Sequence, residues 1–161
     1  MATIRLTLDF SEFLKLCNEE KIKYLVVGGY AVAFHGVVRP TKDLDVWIAL
    51  DPSNLDRVIV ALEKFGFAQG SINHGMFLGK ESIFRMGFPP NRLELFTRII
   101  GVGFDECYAR RQIVNHDGID ISVISLNDLI AAKTATARAQ DLADVAKLQK
   151  VHHSKLTPPP P

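Results

Sequence analysis

The sequence has few cysteines, no long apolar run and almost no net charge. Cys17 and Cys107 are the only cysteines and have no paired spacing, which favours free thiols in a cytoplasmic protein over a disulfide. No apolar run approaches the roughly 20 residues that a membrane span requires, and the N-terminal stretch lacks the apolar core of a signal peptide. A net charge of +1 provides no overall attraction to nucleic acid or to an anionic membrane, although a local basic patch is compatible with it.

The length and composition are those of one globular domain. The chain has 161 residues, of which 47% are apolar and 23% charged, enough for a single hydrophobic core. There is no internal repeat and no linker within the chain. We therefore predict one α/β domain over residues 1–150, followed by a disordered proline-rich tail over residues 151–161.

The hydrophobic pattern alternates between helix-like and strand-like segments. Asp9 and Glu12 have the spacing of a capping box and predict a first helix near residues 10–20. A last helix is predicted from about 125 to 150. Between them the predicted elements are, in order, the strand KYLVVGG, the short helix YAVAFHG, the strand DLDVWIAL, a helix starting at Asp51 and Pro52, a weak strand region over 73–88, the strand NRLELFTRI, the short helix FDECYARRQ and the strand GIDISVIS.

Three carboxylates are placed on predicted strands between buried apolar neighbours. Because side chains alternate across a strand, Asp43 and Asp45 share one face, and Glu94 lies between two leucines in the same manner. If the two strands are neighbours, the three carboxylates converge. Two such charges about 4 Å apart repel by roughly 4 kcal/mol at an effective dielectric near 20, which favours a bound cation, and Mg²⁺ is the usual partner of clustered oxygen ligands. A solvent-facing pair, or pairing with arginine, is the alternative.

A glycine pair precedes the aspartates at the end of a predicted strand. Gly28 and Gly29 permit unusual backbone angles and a close approach of a ligand, and free N–H groups at a helix start can hold phosphate. The stretch is neither G-x-G-x-x-G nor a P-loop, so neither motif applies. A glycine pair alone is typical of many ordinary turns. Combined with the carboxylates, it predicts a phosphate site next to a metal site.

The spacing of these residues resembles a known family. Gly-Gly, thirteen residues and Asp-Leu-Asp are similar to the signature of the polymerase-beta-like nucleotidyltransferase superfamily. RPTKDLDVWI, NRLELFTRIIGVGFDECYARR and ISLNDLIAAKTATARAQDLADVAKL resemble its branch of small nucleotidyltransferases, which includes abortive-infection toxins. The resemblance covers roughly residues 24–148. It implies an α/β (α+β) nucleotidyltransferase fold, with a mixed central β-sheet flanked by helices and a C-terminal helix.

The resemblance also implies individual roles. Gly28 and Gly29 match glycines that contact the nucleotide's phosphates, and Asp43 and Asp45 match metal-binding carboxylates. Glu94 matches a third carboxylate that is often aspartate in this branch, and glutamate keeps the charge on a side chain one methylene longer. Many members have serine directly after the first glycine. This chain has Gly29 there, so that position offers no hydroxyl to a phosphate.

The predicted last helix carries further candidate residues. Lys133 lies along an apolar stripe, where the residues alone favour a lysine that extends its amine to water, whereas the resemblance implies a lysine that reaches phosphate. Arg138, Asp141 and Asp144 resemble the K…R-x-x-D-x-x-D ending of the branch. They could contact phosphate, a catalytic water or each other, or form a purely structural salt bridge. Arg39 could bind substrate or balance the charge of the aspartate pair.

These features predict a metal-dependent enzyme that transfers a nucleoside monophosphate from an NTP (ATP, CTP or GTP) to a protein, RNA or small-molecule acceptor. Two Mg²⁺ ions are expected. The catalytic and metal-binding residues are Asp43, Asp45 and Glu94, and the nucleotide-binding residues are Gly28, Gly29, Arg39, Lys133, Asp141 and Asp144. No separate acceptor domain is visible, so a partner protein or a second copy could hold the acceptor. The alternatives are a nucleotide- or metal-binding module without turnover, in a toxin–antitoxin or regulatory complex, and a structural domain with a solvent-facing aspartate pair.

Overall fold

The structure is a computed structural model that describes residues 4–80 and 83–156, with side chains described as far as residue 153. Predictions for residues 157–161, the proline-rich end of the chain, lie outside the described residues. In chain order the described elements are α1 (Leu8–Glu19), β1 (Tyr24–Val27), α2 (Gly28–Phe34), β2 (Asp43–Ile48), α3 (Pro52–Phe65), α4 (Gly75–Leu78), β3 (Ile83–Met86), β4 (Arg92–Phe96), α5 (Phe104–Ala109), β5 (Gln112–His116), β6 (Ile119–Val123), α6 (Leu126–Thr136) and α7 (Ala139–Leu156).

The six described strands form one mixed sheet with the order β3-β4-β2-β1-β6-β5. β2 pairs antiparallel with β1 and parallel with β4, and β1 also pairs parallel with β6. Helices flank this sheet, which confirms the predicted fold class. The order places the turn that follows β1 beside β2, and β2 beside β4, so that the glycine pair and all three predicted carboxylates come from neighbouring strands.

β2 has one buried and one partly open face, as the alternating sequence predicts. Leu44 and Val46 are fully buried in the core, while Asp43 and Asp45 on the other face are partly exposed. Trp47, which shares the face of the aspartates, is also buried, and its ring packs edge-on against Phe104 with centroids 5.2 Å apart. The apolar side of the strand therefore anchors it in the core and holds the aspartates on the opposite face.

The helix starts agree with the sequence at α3 and differ at α1. Asp51 caps α3 by accepting a hydrogen bond from the Asn54 amide, and Pro52 opens the helix, as predicted. At α1 the cap is Thr7, whose side chain accepts from the Phe10 amide at 3.2 Å. The predicted Asp9–Glu12 capping box is wrong because the helix begins earlier, with Asp9 already in its first turn.

Two regions differ from the predicted strands. The predicted weak strand over 73–88 consists of the short helix α4 and strand β3. β5 was not predicted, and it forms a hairpin with β6 across Asp117 and Gly118, both with positive φ. An Asp-Gly pair between two strands is a strong hairpin signal, so the sequence contained the information for β5.

The predicted last helix is two helices. Ala137 adopts a left-handed conformation with φ +50°, which ends α6, and α7 begins at Ala139. Without glycine or proline at this point, the break has no local sequence signal. α7 extends to Leu156, so residues 151–156, which were predicted to belong to the disordered tail, are helical. Within the described ranges, no helix combines the length and apolar character that crossing a bilayer requires.

Candidate functional site

Parallel pairing of β2 with β4 brings the predicted carboxylates to one place on the sheet. The register sets Asp45 opposite Glu94 and Asp43 opposite Arg92. Since residues two apart on a strand share a face, all four side chains lie on the same side of the two strands. The strands are therefore neighbours, as convergence of the three carboxylates requires.

Asp45 has one carboxylate oxygen that lacks a partner. Its Oδ1 is buried and has no hydrogen-bond partner within the described part of the chain. Burial, together with the nearby carboxylates of Glu94 and Asp43 and a hydrogen bond with Glu94, raises the pKa of Asp45 to about 7, although Lys133 opposes the shift. A buried carboxylate oxygen among like charges is stabilised by a proton or by a cation. This atom therefore fits a cation ligand.

Asp43 and Glu94 are paired with arginines. Arg92 donates from Nε and Nη2 to Oδ1 and Oδ2 of Asp43 at 3.1 and 2.8 Å, and its Nε lies 3.4 Å from Glu94 Oε1. Arg85 Nε donates to the same oxygen of Glu94 at 3.2 Å. In this arrangement, no group of three or more potential metal ligands is already assembled among the described residues.

The sequence interpretation missed Arg92, although the signal was present. Arg92 precedes Glu94 by two residues in NRLELF, so the alternation that groups Asp43 with Asp45 also places Arg92 on the carboxylate face. Arg85 lies opposite Glu94 on β3, in a region that was predicted only as a weak strand. Strand order was the missing information for both arginines.

The glycine pair is required by close packing at the end of β1. Gly28 has φ +66°, and a Cβ at this position would overlap Asp45 Oδ2. A Cβ on Gly29 would overlap Thr41 Oγ1, and Arg39 Nη1 would lie 3.4 Å from it. The backbone of the turn therefore lies directly against Asp45. The Thr41 hydroxyl lies beside Gly29, the position at which this chain has no hydroxyl of its own.

Lys133 and the two aspartates of α7 form a buried ionic network. Lys133 Nζ lies 2.9 Å from Asp144 Oδ2 and 3.5 Å from Asp141 Oδ1. Arg39 donates from Nε and Nη2 to both oxygens of Asp144, at 2.8 and 2.9 Å. The side chain of Asp144 is 0% exposed and that of Lys133 is 10% exposed. Arg39 therefore balances Asp144, and the predicted balancing of the β2 aspartates by Arg39 is wrong, because Arg92 pairs with Asp43.

Asp141 holds the turn between α6 and α7. Its Oδ2 accepts from Thr136 Oγ1 and Arg138 Nε, both at 2.8 Å, which is the salt bridge that the sequence left open. Burial would raise the pKa of Asp141, but Arg138, Thr136 and Lys133 outweigh it and lower the pKa to about 2. Burial of Asp144 is outweighed in the same way by Arg39 and Lys133, which hold its pKa below the usual range.

A cavity of about 470 Å³ lies between the glycine turn and the α6–α7 turn. Gly28, Asp45, Lys133 and Arg138 contribute to its lining. Most of the remaining wall is apolar and includes Phe96, Ile99, Leu129 and Ala132. An apolar cleft with a few convergent charged groups is typical of a small-molecule site, and its volume suits a ligand with both an aromatic and an ionic part.

Comparison with known proteins decides the family. Residues 5–154 match the family described as a nucleotidyltransferase of unknown function, DUF6036. The match spans nearly all of the chain. The chain belongs to this nucleotidyltransferase family.

A solved structure shows the same fold as this family member. The crystal structure of a Thermotoga maritima protein, itself described only as a candidate nucleotidyltransferase, superposes with a TM-score of 0.55 at 14% identity. The superposition covers 89% of this chain and 90% of that chain, and it confirms the predicted nucleotidyltransferase fold. Comparison with curated proteins finds no significant match. The family description specifies no branch, so the resemblance to abortive-infection nucleotidyltransferases stays a prediction.

Proposed function

We propose that this nucleotidyltransferase transfers a nucleoside monophosphate from an NTP to an acceptor and depends on a divalent cation. The observation that carries the proposal is Asp45, a partly exposed residue whose buried Oδ1 has no hydrogen-bond partner among the described residues, packed against the glycine turn and opposite Glu94. A phosphate-holding backbone next to an unsatisfied carboxylate fits a cation that bridges the protein and the phosphates.

The donor set fits Mg²⁺. Asp43, Asp45 and Glu94 supply carboxylate oxygens, the ligands that this ion prefers, and the unpartnered oxygen of Asp45 has no competing donor. Two such ions, when bound, would activate the acceptor hydroxyl and stabilise the charge of the departing pyrophosphate. The role of the protein is to fix the three carboxylates on two rigid strands that face the phosphate turn.

The cations around the turn are suited to the triphosphate. Because Gly28 has no side chain, the backbone of the turn lies directly against Asp45, so phosphates bound at this turn would be next to the proposed cation. Lys133 approaches the site from α6 with its position fixed by the α7 aspartates, and Arg138 lies at the cavity with its side chain 79% exposed. Thr41 offers the hydroxyl that position 29 lacks. Asp141, which also lines the cavity, and the fully buried Asp144 hold these cations in place, and direct binding of the nucleotide by the two aspartates stays a prediction.

The apolar part of the cavity is suited to the base and sugar of the nucleotide. Phe96, Ile99 and Leu129 line the same cavity as Asp45, and apolar and aromatic side chains commonly hold the body of a ligand while polar groups fix its orientation. This wall presents few groups that could distinguish bases, so ATP, CTP and GTP all remain candidate donors.

We also propose which classes of acceptor this enzyme uses and where in the cell it acts. A protein, an RNA or a small molecule could present the hydroxyl, and a partner protein or a second copy of this chain could hold it beside the cavity. Cys17 and Cys107 are both buried and free, which favours action in the reducing cytoplasm. The resemblance to abortive-infection proteins favours a role in a toxin–antitoxin system.

The test compares the wild type with Asp45→Asn. Calorimetry with ATP, CTP and GTP should show binding that requires Mg²⁺ in the wild type, and labelled NTP should be transferred to an acceptor or release pyrophosphate. Asp45→Asn should reduce transfer by about a hundredfold or more. Asp120→Asn, the same change on an exposed strand position remote from the cavity, should leave both unchanged. Equal binding and transfer by the wild type and Asp45→Asn would rule out the assigned site.

A second candidate is a nucleotide- or metal-binding module without turnover. The observation that favours it is the pairing of Asp43 and Glu94 with arginines, which neutralises two of the three carboxylates. This module would bind ATP in the presence of Mg²⁺ but release no pyrophosphate with any acceptor. Pyrophosphate release that depends on Asp45 would exclude it.

A further inference from the structure

Arg92 forms ion pairs with two of the three carboxylates. Its guanidinium makes a two-point contact with Asp43 through Nε and Nη2, and Nε also lies 3.4 Å from Glu94. Both oxygens of Asp43 are thereby engaged. A metal ion bound to Asp43 while Arg92 keeps this two-point contact would lie close to the guanidinium, and the repulsion between the two positive charges makes them compete for one carboxylate.

The pairing is local and built into the strands. Arg92 and Asp43 are directly opposite in the parallel register of β4 and β2, so no large rearrangement is needed to form the contact. The guanidinium of arginine is charged at every physiological pH, so the contact is an ion pair throughout that range. The Arg92 side chain is 34% exposed, so it has solvent into which it can turn when displaced.

The other cations near the site are held differently. Lys133 is fixed by Asp144 and Asp141 in the buried network, away from Asp43. Arg85 contacts Glu94 alone and its side chain is 57% exposed, so its hold on the carboxylates is weaker. Among the described residues, Arg92 alone contacts two of the three predicted metal ligands.

We propose that Arg92 is the internal counter-ion of the carboxylate site, and that a divalent cation binds there by displacing Arg92 from Asp43. The proposal rests on the cation site of the proposed function. In the absence of metal, the arginine relieves the repulsion between carboxylates. When the metal binds, the guanidinium is released next to the reacting groups, and the affinity for the cation is lowered by the energy of the broken ion pair.

The experiment is calorimetric titration of the full chain with Mn²⁺ alone. Arg92→Gln removes the competing charge and should bind Mn²⁺ about tenfold tighter than the wild type. Arg85→Gln should bind it tighter by a smaller factor. Arg98→Gln removes an arginine that lines the cavity beside Asp45 and donates to the Lys80 carbonyl, so it controls for the general loss of positive charge and should stay within about twofold of the wild type.

The outcomes separate the competing explanations. Unchanged Mn²⁺ affinity in Arg92→Gln, or an equal gain in Arg98→Gln, would overturn the counter-ion role. Weaker binding in Arg92→Gln would also overturn it, since the arginine would then position Asp43 for the metal. No Mn²⁺ binding to either the wild type or Arg92→Gln would overturn the proposed function together with this proposal.

A conservative variant distinguishes the loss of the Asp43 contact from misfolding of the protein. Arg92→Lys keeps the charge but cannot make the two-point contact with Asp43, so its Mn²⁺ affinity should lie between those of the wild type and Arg92→Gln. Thermal unfolding with and without Mn²⁺ gives an independent readout. The rise in Tm at a fixed Mn²⁺ concentration should follow the same order, and the reverse order would contradict the proposal.

Discussion

At the scale of residues, some carboxylates of the site are fully paired with cations and one is not. Asp144 and Asp141 are fully paired with cations, whereas Asp45 retains a buried oxygen without a partner. A paired aspartate stabilises the fold, and an unpaired one costs stability unless a proton or ligand compensates it. The difference separates the residues that hold the site in shape from the residue that is available to a ligand.

The raised pKa of Asp45 predicts an unusual pH dependence of stability. Its folded-state pKa of about 7 lies above the value of an unfolded aspartate. The folded protein therefore binds the extra proton, and the free energy of unfolding should fall as pH rises from about 4 to about 7, by up to about 4 kcal/mol in metal-free buffer. Asp45→Asn should abolish this slope and be more stable than the wild type at pH 8.

Urea unfolding at a series of pH values checks this prediction. EDTA should be present throughout, because a bound cation would replace the proton. Asp120→Asn serves as the control, since Asp120 is exposed on β6, and its curve should run parallel to that of the wild type. Parallel curves for the wild type and Asp45→Asn would show that folding does not raise the pKa of Asp45, which would contradict the prediction.

Part of this residue set could be predicted from the sequence. The shared face of Asp43 and Asp45 follows from the two-residue period of a strand, and the same rule would have identified Arg92. The pairing of Arg39 with Asp144 could not be predicted, because the two residues are 105 positions apart and nothing in their local sequence specifies the contact.

At the scale of elements, the turn between α6 and α7 positions the cations of the site. The left-handed Ala137 folds α7 back, so that Asp141 and Asp144 face Lys133. The sequence interpretation placed Lys133 and Asp144 on nearby faces of one continuous helix. Their proximity is real, but it arises from a reversal of the chain, which the sequence does not signal because Ala137 is neither glycine nor asparagine.

Loss of the Asp144 charge should destabilise this junction. Asp144→Asn keeps the size of the side chain but leaves Arg39 and the buried Lys133 without their shared counter-ion, so the free energy of unfolding should fall by about 3 kcal/mol. Arg138→Gln should cost at most about 1 kcal/mol, because the Arg138 side chain is 79% exposed. Chemical denaturation measures both values. A loss below about 1 kcal/mol for Asp144→Asn would show that the network does not hold α7 in place.

At the scale of the whole molecule, the sheet order sets the layout of the site. Moving across β1, β2 and β4, the chain presents the glycine turn, the aspartate pair and then Glu94 with Arg92. This order depends on pairings between distant segments. The residue pattern predicted most of the elements, and the resemblance to a family predicted the mixed sheet, but the neighbours of each strand were visible only in the structure.

The most direct measurement is the anomalous scattering of Mn²⁺ in crystals grown with Mn²⁺ and a non-hydrolysable NTP. The proposed function predicts a Mn²⁺ peak within coordination distance of Asp43, Asp45 and Glu94, with the nucleotide's phosphates over Gly28 and Gly29. The Asp43–Arg92 contact should be broken in the same crystals. A nucleotide bound elsewhere, or no Mn²⁺ at Asp45, would contradict the central claim that this carboxylate is the cation ligand of a nucleotidyltransferase.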